Sequence, residues 1–480
     1  YVLGLAELKL ENFVGAKNAF SKHPTDYRSL AGQAILLYQE SKAADAEKIL
    51  QTIVDKAKKK EWEKYKVAAD AMVYTKNGNV SKAIEWYKKA IEINPEDADL
   101  YIGLGDAYQY RMKDAYGDAM TQYENAETKS NNKSLANSKI GALWIRGRNY
   151  ESALANFTKA KDVDPNNPLP YKHLADAYYR SGQFKYALEN IEKYYSLSDK
   201  NTSDKIDYAN ILIMSKEYAK AEAVLNELFA AKVNEPTLHR AMAYSQYETK
   251  KYDEAKKSMD IYFNTTKDAT KFTVDDYLYS GKIKAALSQS DTANADQFLT
   301  DAEADFEKAL TLVEEKDLKK TRSDIAGIYK DAGSFAHAGK WYGKLVEGNT
   351  EATEYEYFDY GLYTYYGKQP EKALEIFTAM REKFPEQGSA YYWQARSAEL
   401  LDSKADKGTA EKFYLDWLAF NKEGYTPKDS DKIRAYQYLS YYYYNIKKHT
   451  DAKLYVNKIV ELDKDNSYAK SMLDYYSKLK

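Results

Sequence analysis

The chain has 480 residues, 48 of them tyrosine, no cysteine, and 71 Lys+Arg against 73 Asp+Glu for a formal charge of −2. That balance gives no basic field for nucleic acid, and the missing thiols exclude disulfide frameworks, thiolate metal sites and cysteine nucleophiles. No run of 18 apolar residues is present, so no transmembrane helix is expected, and 44% hydrophobic residues rule against disorder.

Taken in chain order, the clearest feature is a repeat. An alanine recurs at Ala119, Ala153, Ala187, Ala221 and Ala255, each step being 34 residues. The series extends upstream to Ala83, Ala46 and Ala16. Downstream it continues through Ala302, Ala338, Ala373, Ala410 and Ala452, with steps of 47, 36, 35, 37 and 42. Thirteen units result. The longer steps predict lengthened loops or helix ends at Asn264 to Asp301 (including the polar stretch 288–292), Asp402 to Gly408 and Asn421 to Asp431.

Each unit reads as two amphipathic helices. Tyr171, Leu174, Ala175 and Tyr178 occupy one face at i, i+3, i+4 and i+7. Gly182 sits where the first helix must stop, since glycine tolerates the left-handed C′ position. Ala187, Ile191 and Tyr194 resume the period, and Asn94-Pro95 and Asp164-Pro165 close their units. The alanine marks a close approach of helix backbones. One helix pair cannot bury both faces, so stacked pairs complete the core. Leu3-Gly4 reads as the middle of a first helix, so the chain is expected to begin inside a repeat with residues upstream of it. Ser467 to Lys480 reads as one further helix with a polar outer face.

The order Tyr171, Leu174, Ala175, Tyr178, Ala187, Ile191, with a closing Asn-Pro or Asp-Pro elsewhere, resembles the tetratricopeptide repeat (TPR) family. The resemblance implies an all-α, TPR-type α-solenoid: a right-handed superhelix of about 12–13 antiparallel helix pairs plus a C-terminal capping helix. The expected divisions are divergent repeats over 1–63, a regular array over 64–264, a divergent array with lengthened loops and a Tyr-rich groove over 265–466, and the cap over 467–480. Asp70, at a position usually large and apolar, departs from the pattern, as do Asn131 and Asp199, where proline is common.

Chemistry is hard to find. His23, His173, His239, His337 and His449 lie in different repeats with no His-x-x-x-His spacing, so no metal site is expected. Gly333 to Lys340 has five residues between its glycines and Trp341 after its lysine, which a phosphate loop does not allow. No catalytic residue, cofactor or small-molecule substrate is nominated, and the repeats leave no room for a catalytic domain.

In the family resembled, the first helix of each pair lines the concave groove. Mid-chain, Lys172, Arg180 and Arg240, with Asn210, suggest a loose version of the family's carboxylate clamp, although its specific combination is not reproduced. In the last third the expected groove face carries Tyr355, Phe358, Tyr365 and Tyr366, then Tyr392 and Arg396, then Tyr441 and Tyr444. These helices hold more aromatics than one buried face uses, and tyrosine is favoured at binding hot spots. Against this stands burial of the same rings under nearby insertions. The expected function is a non-enzymatic protein-interaction scaffold that binds a protein or peptide segment in its groove. The alternative is an envelope-associated accessory protein binding glycan through the aromatic groove. Composition and the start at Tyr1 suggest a processed bacterial protein of the periplasm or outer envelope, with a cytoplasmic location as the rival.

Overall fold

A computed structural model of the chain describes residues 1–131 and 133–478. Among these it contains 27 α-helices, one 3₁₀ turn and no strand. Contacts divide the chain into two compact units, Tyr1–Asn234 and Glu235–Lys480.

The first unit holds seven helix pairs. They begin with α1 (Val2–Lys9) and α2 (Phe13–Ser21), α3 (Tyr27–Gln39) and α4 (Ala43–Asp55), then α5 (Trp62–Val73) and α6 (Val80–Ile93). Next come α7 (Ala98–Arg111) and α8 (Tyr116–Lys129), then α9 (Ser134–Arg146) and α10 (Tyr150–Val163). The last two are α11 (Pro168–Arg180) with α12 (Phe184–Leu197), and α13 (Thr202–Met214) with α14 (Tyr218–Ala230).

The second unit holds six pairs and a final helix. Its first pair is α15 (Pro236–Glu248) and α16 (Tyr252–Thr265), followed by the 3₁₀ turn Ala269–Lys271. Then come α17 (Val274–Ser290) with α18 (Ala295–Leu312), α19 (Glu315–Asp331) with α20 (Phe335–Val346), and α21 (Glu354–Tyr366) with α22 (Pro370–Lys383). The unit ends with α23 (Gly388–Leu401) and α24 (Glu411–Ala419), α25 (Asp429–Asn445) and α26 (His449–Leu462), and α27 (Ser467–Lys478), which packs on α26.

The thirteen pairs are those the alanine series predicts, and every one of the thirteen alanines is fully buried. Twelve lie inside the second helix; Ala410 is the N-cap residue just before α24. Leu3 and Gly4 lie in the first turn of α1 rather than at a helix centre. Proline acts as predicted: α6 and α10 end at Ile93 and Val163, with Asn94 and Asp164 as C-caps.

The excess between Ala255 and Ala302 is not a loop. The 3₁₀ turn and the lengths of α17 and α18, 17 and 18 residues, absorb it, and Ser288 to Ser290 form the last turn of α17. A capping box between Thr273 and Asp276 starts α17 on the far side of the turn. The excess at Asp402 to Gly408 is an ordered turn, its backbone N–H groups at Asp406, Lys407 and Thr409 donating to the buried Asp402 carboxylate.

Within each unit the first helices of successive pairs touch: α3 with α5, α5 with α7 and α9 with α11, and in the second unit α15 with α17, α17 with α19 and α21 with α23. The second helices of successive pairs make no comparable contact among the described residues. The first helices are therefore the inner row of each array, and their free faces line its inner surface.

Candidate functional site

The inner row of the second unit carries a cluster of rings about Trp393 of α23. The Tyr365 and Tyr366 rings of α21 meet it edge-on, with centroids 5.1 and 6.0 Å away, and Phe358 lies at 6.5 Å. Arg396, one turn along α23, donates to the Tyr365 hydroxyl at 2.6 Å and lies over the rings of Tyr365, Tyr392 and Trp393. The structure thus brings together Phe358, Tyr365, Tyr366, Tyr392 and Arg396. Trp393, the hub of the cluster, is missed by the repeat pattern because it lies between the positions that pattern scores.

Exposure separates these residues. Tyr365 and Tyr392 are buried at 7% and 9%, whereas Tyr366 and Tyr355 are 48% and 75% exposed. The Tyr392 hydroxyl donates to Asp431 at 2.9 Å, and its ring packs on Trp417. Burial pushes its phenol up to about 12. The insertion after α24 provides part of this cover, since Tyr425 stacks edge-on to Phe420 and accepts from the Trp417 indole at 2.9 Å. Tyr441 and Tyr444 form a separate pair on α25. Tyr441 is 43% exposed, and Tyr444 bonds to the Tyr475 hydroxyl of α27.

The three mid-chain cations are already engaged. Lys172 donates to Asp204 at 2.8 Å, Arg180 to Asp176 on its own helix, and Arg240 lies 3.9 Å from Asp276. Lys172 and Arg180 belong to the first unit and Arg240 to the second. Asp204, Asp276 and Asp106 are buried acceptors that recur along the arrays, each taking a tyrosine hydroxyl and facing a cation from a neighbouring first helix. Asp106 accepts from Tyr74, Tyr123 and Lys139, and Asp276 from Tyr244 and Tyr262. At Asp204 burial opposes ionisation, but bonds from Lys172 and Tyr194 outweigh it and hold the carboxyl below its ordinary range. Asp70 is the same device with a partner on its own helix: it accepts from Tyr87 and Lys66, which accounts for a carboxylate at an apolar position. Lys172 and Arg240 thus face buried carboxylates within the fold, whereas the Arg180–Asp176 pair is exposed.

A cavity of about 820 Å³ lies between α15, α17 and α19. Tyr247, Tyr252, Leu278, Ile328 and Tyr342 form its walls. Four carboxylates, Glu248, Asp275, Asp324 and Asp331, stand exposed around it, against Lys282 and Lys330. Burial pushes the Tyr247 and Tyr342 phenols up to about 12. The one sequence signal for this site is the long step from Ala255 to Ala302, which extends α17. In the first unit a cavity of about 300 Å³ lies between α11 and α13, beside His173. That histidine stacks on Phe157 at 5.0 Å, and burial lowers its pKa.

Among the described residues no three acidic or histidine side chains are grouped to hold a metal ion, and no helix is long and apolar enough to cross a membrane.

The family model agrees with this architecture. A family model described as TPR repeat matches residues 72–112, the end of α5 through α7. Anaphase-promoting complex subunit 3 of Schizosaccharomyces pombe is 22% identical over 190 residues, 40% of this chain and 28% of that protein. The type IV pilus assembly protein PilF of Pseudomonas aeruginosa is 24% identical over 159 residues, 33% of this chain and 62% of its own length. The chain therefore spans less than two thirds of either relative. Among solved structures, the C-terminal part of a TPR repeat-containing protein from Cytophaga hutchinsonii is 26% identical, covering 55% of this chain and 98% of that one, with a TM-score of 0.39. With the family model falling on α6 and α7, in an array of thirteen helix pairs of one plan, the chain carries TPR-type repeats in an all-α fold, and proteins built of such repeats are generally non-enzymatic protein-interaction scaffolds.

Proposed function

We propose that this protein is a non-enzymatic scaffold that holds a segment of a protein partner against the inner row of its second unit, in the envelope of a bacterium. The observation that carries this reading is the exposure of Tyr355, Tyr366 and Tyr441 on first helices, with Tyr366 packed on the cluster around Trp393 and Arg396 and Tyr441 stacked on Tyr444. Rings held this way contribute contact area with little ordering cost on binding. Lys172, Arg180 and Arg240 enter only as rim charges, since each is tied to a carboxylate. The envelope location rests on the composition and on the similarity to a pilus assembly protein.

The test uses photo-crosslinking residues at 355, 366 and 441 in the full chain in its native host. Second-helix positions 261 and 454, also exposed, serve as controls. The expected result is one discrete protein adduct in the envelope fraction at the first-helix positions and none at the controls. Equal labelling at both sets would remove the inner-row reading.

A further inference from the structure

The inner row of the second unit has another feature, the cavity between α15, α17 and α19. We infer that it receives a basic, lysine- or arginine-bearing stretch of the partner segment, an inference that rests on the scaffold reading above. Its charge is local. The whole chain is nearly balanced at −2, yet this cavity has four exposed carboxylates against two ammonium groups. One of the two, Lys330, already lies 3.7 Å from Asp331.

The walls suit the same occupant. Tyr247 packs against Tyr252 and meets Tyr279 edge-on, at centroid distances of 5.7 and 5.6 Å. Beside the cavity the Tyr279 ring stacks on Tyr244 at 3.9 Å and carries the Lys282 ammonium at 4.6 Å, so a cation seated on an aromatic ring is already part of this region. Tyr279 also donates to Glu248 at 2.9 Å, which pairs ring and carboxylate at one end of the cavity. Asp324 and Asp331 lie on α19 at the opposite wall. An extended chain crossing from α15 to α19 would meet Glu248 beside Tyr247 and Tyr252 at one end, Asp275 and Leu278 of α17 on the way, and Asp324 and Asp331 with Tyr342 at the other. An acidic segment would instead meet like charge at each step.

The experiment measures fluorescence anisotropy of three labelled twelve-residue peptides against the full chain at low salt: Arg/Ser, Glu/Ser and Gly/Ser alternating. Only the Arg/Ser peptide is expected to bind. The charge reversals Asp324→Lys and Asp331→Lys together should weaken it by about tenfold or more. Glu375→Lys with Glu382→Lys changes the net charge equally on the exposed face of α22 and should leave binding unchanged. Absence of Arg/Ser binding, binding of all three peptides alike, or equal weakening by both double variants would each overturn the inference. Crosslinking at 355, 366 and 441 reports separately on the scaffold reading. Adducts that persist while peptide binding fails would remove the basic occupant alone.

Discussion

Gly141 faces the Phe157 ring so closely that an added Cβ would lie 2.6 Å from it. Phe157 is 1% exposed and has no room to retreat. A Gly141→Ala change therefore sets two effects against each other. Alanine is the better helix former by about 1 kcal/mol, and overpacking a closed contact costs about 1–3 kcal/mol. The clash should win, with a net loss seen as faster amide exchange in α9 and α10. The tyrosines follow similar local logic. Tyr101, Tyr171 and Tyr391 each donate to the carbonyl of a proline six residues earlier, at Pro95, Pro165 and Pro385. Others, such as Tyr123 and Tyr194, end on buried carboxylates. Much of the tyrosine content thus serves the joints of the array, and the exposed rings of α21 and α25 stand with others such as Tyr110, Tyr116 and Tyr186 of the first unit.

Nine of the thirteen first helices end the same way, with a left-handed residue two positions past the last helical one, and the sequence shows this only in part. Gly182 takes φ +75°, as its place after α11 predicts, and Gly333 takes φ +64° after α19, where it is a helix stop and no phosphate loop. At the equivalent position, two residues past the end of α13, α15, α21 and α25, stand Lys216, Lys250, Lys368 and Lys447, all with φ of 60–63°. The backbone adopts the left-handed stop whether or not glycine is present, because the closing bonds compensate for it. Lys216, Lys250, Lys368 and Lys447 donate their N–H groups to Ile213, Tyr247, Tyr365 and Tyr444. A side chain there costs about 1–2 kcal/mol. Replacing each lysine with glycine should therefore stabilise its pair by about 0.5–1 kcal/mol, net of glycine's extra unfolded-state entropy. Thermal melts followed by circular dichroism should show a rise for the fourfold variant; an unchanged or lowered midpoint would contradict this account of the turn.

At the scale of the molecule, each helix packs against its own pair and the adjacent ones. Stability in such arrays is a sum of local and nearest-neighbour contributions. The disturbance from Gly141→Ala should accordingly stay near its source, with amide exchange in α19 to α26 unchanged. Uniformly faster exchange would show a cooperativity that these contacts do not provide.

The sequence by itself determined the helix pair, its 34-residue period, the number of pairs and the buried alanines, because these depend on contacts within one unit and with the next. Local steric rules at Ala187 or Asp164-Pro165 act through neighbours in the chain, and periodicity records them directly. The lengthened step after Ala255 was visible as a number but not as a form, since a polar run such as Ser288 to Ser290 is compatible with either a loop or a helix end. Only the tertiary structure decided which tyrosines are open. Tyr365 and Tyr392 are closed by Arg396 and Asp431, 31 and 39 residues further on, while Tyr366, next to Tyr365, faces solvent. It also decided that Lys172 and Arg240 are spent on buried carboxylates and that an acidic cavity lies between α15, α17 and α19. The physical reason is the same in each case. Exposure and charge pairing depend on which side chains meet across repeats, and a periodic pattern specifies the repeat without specifying those meetings.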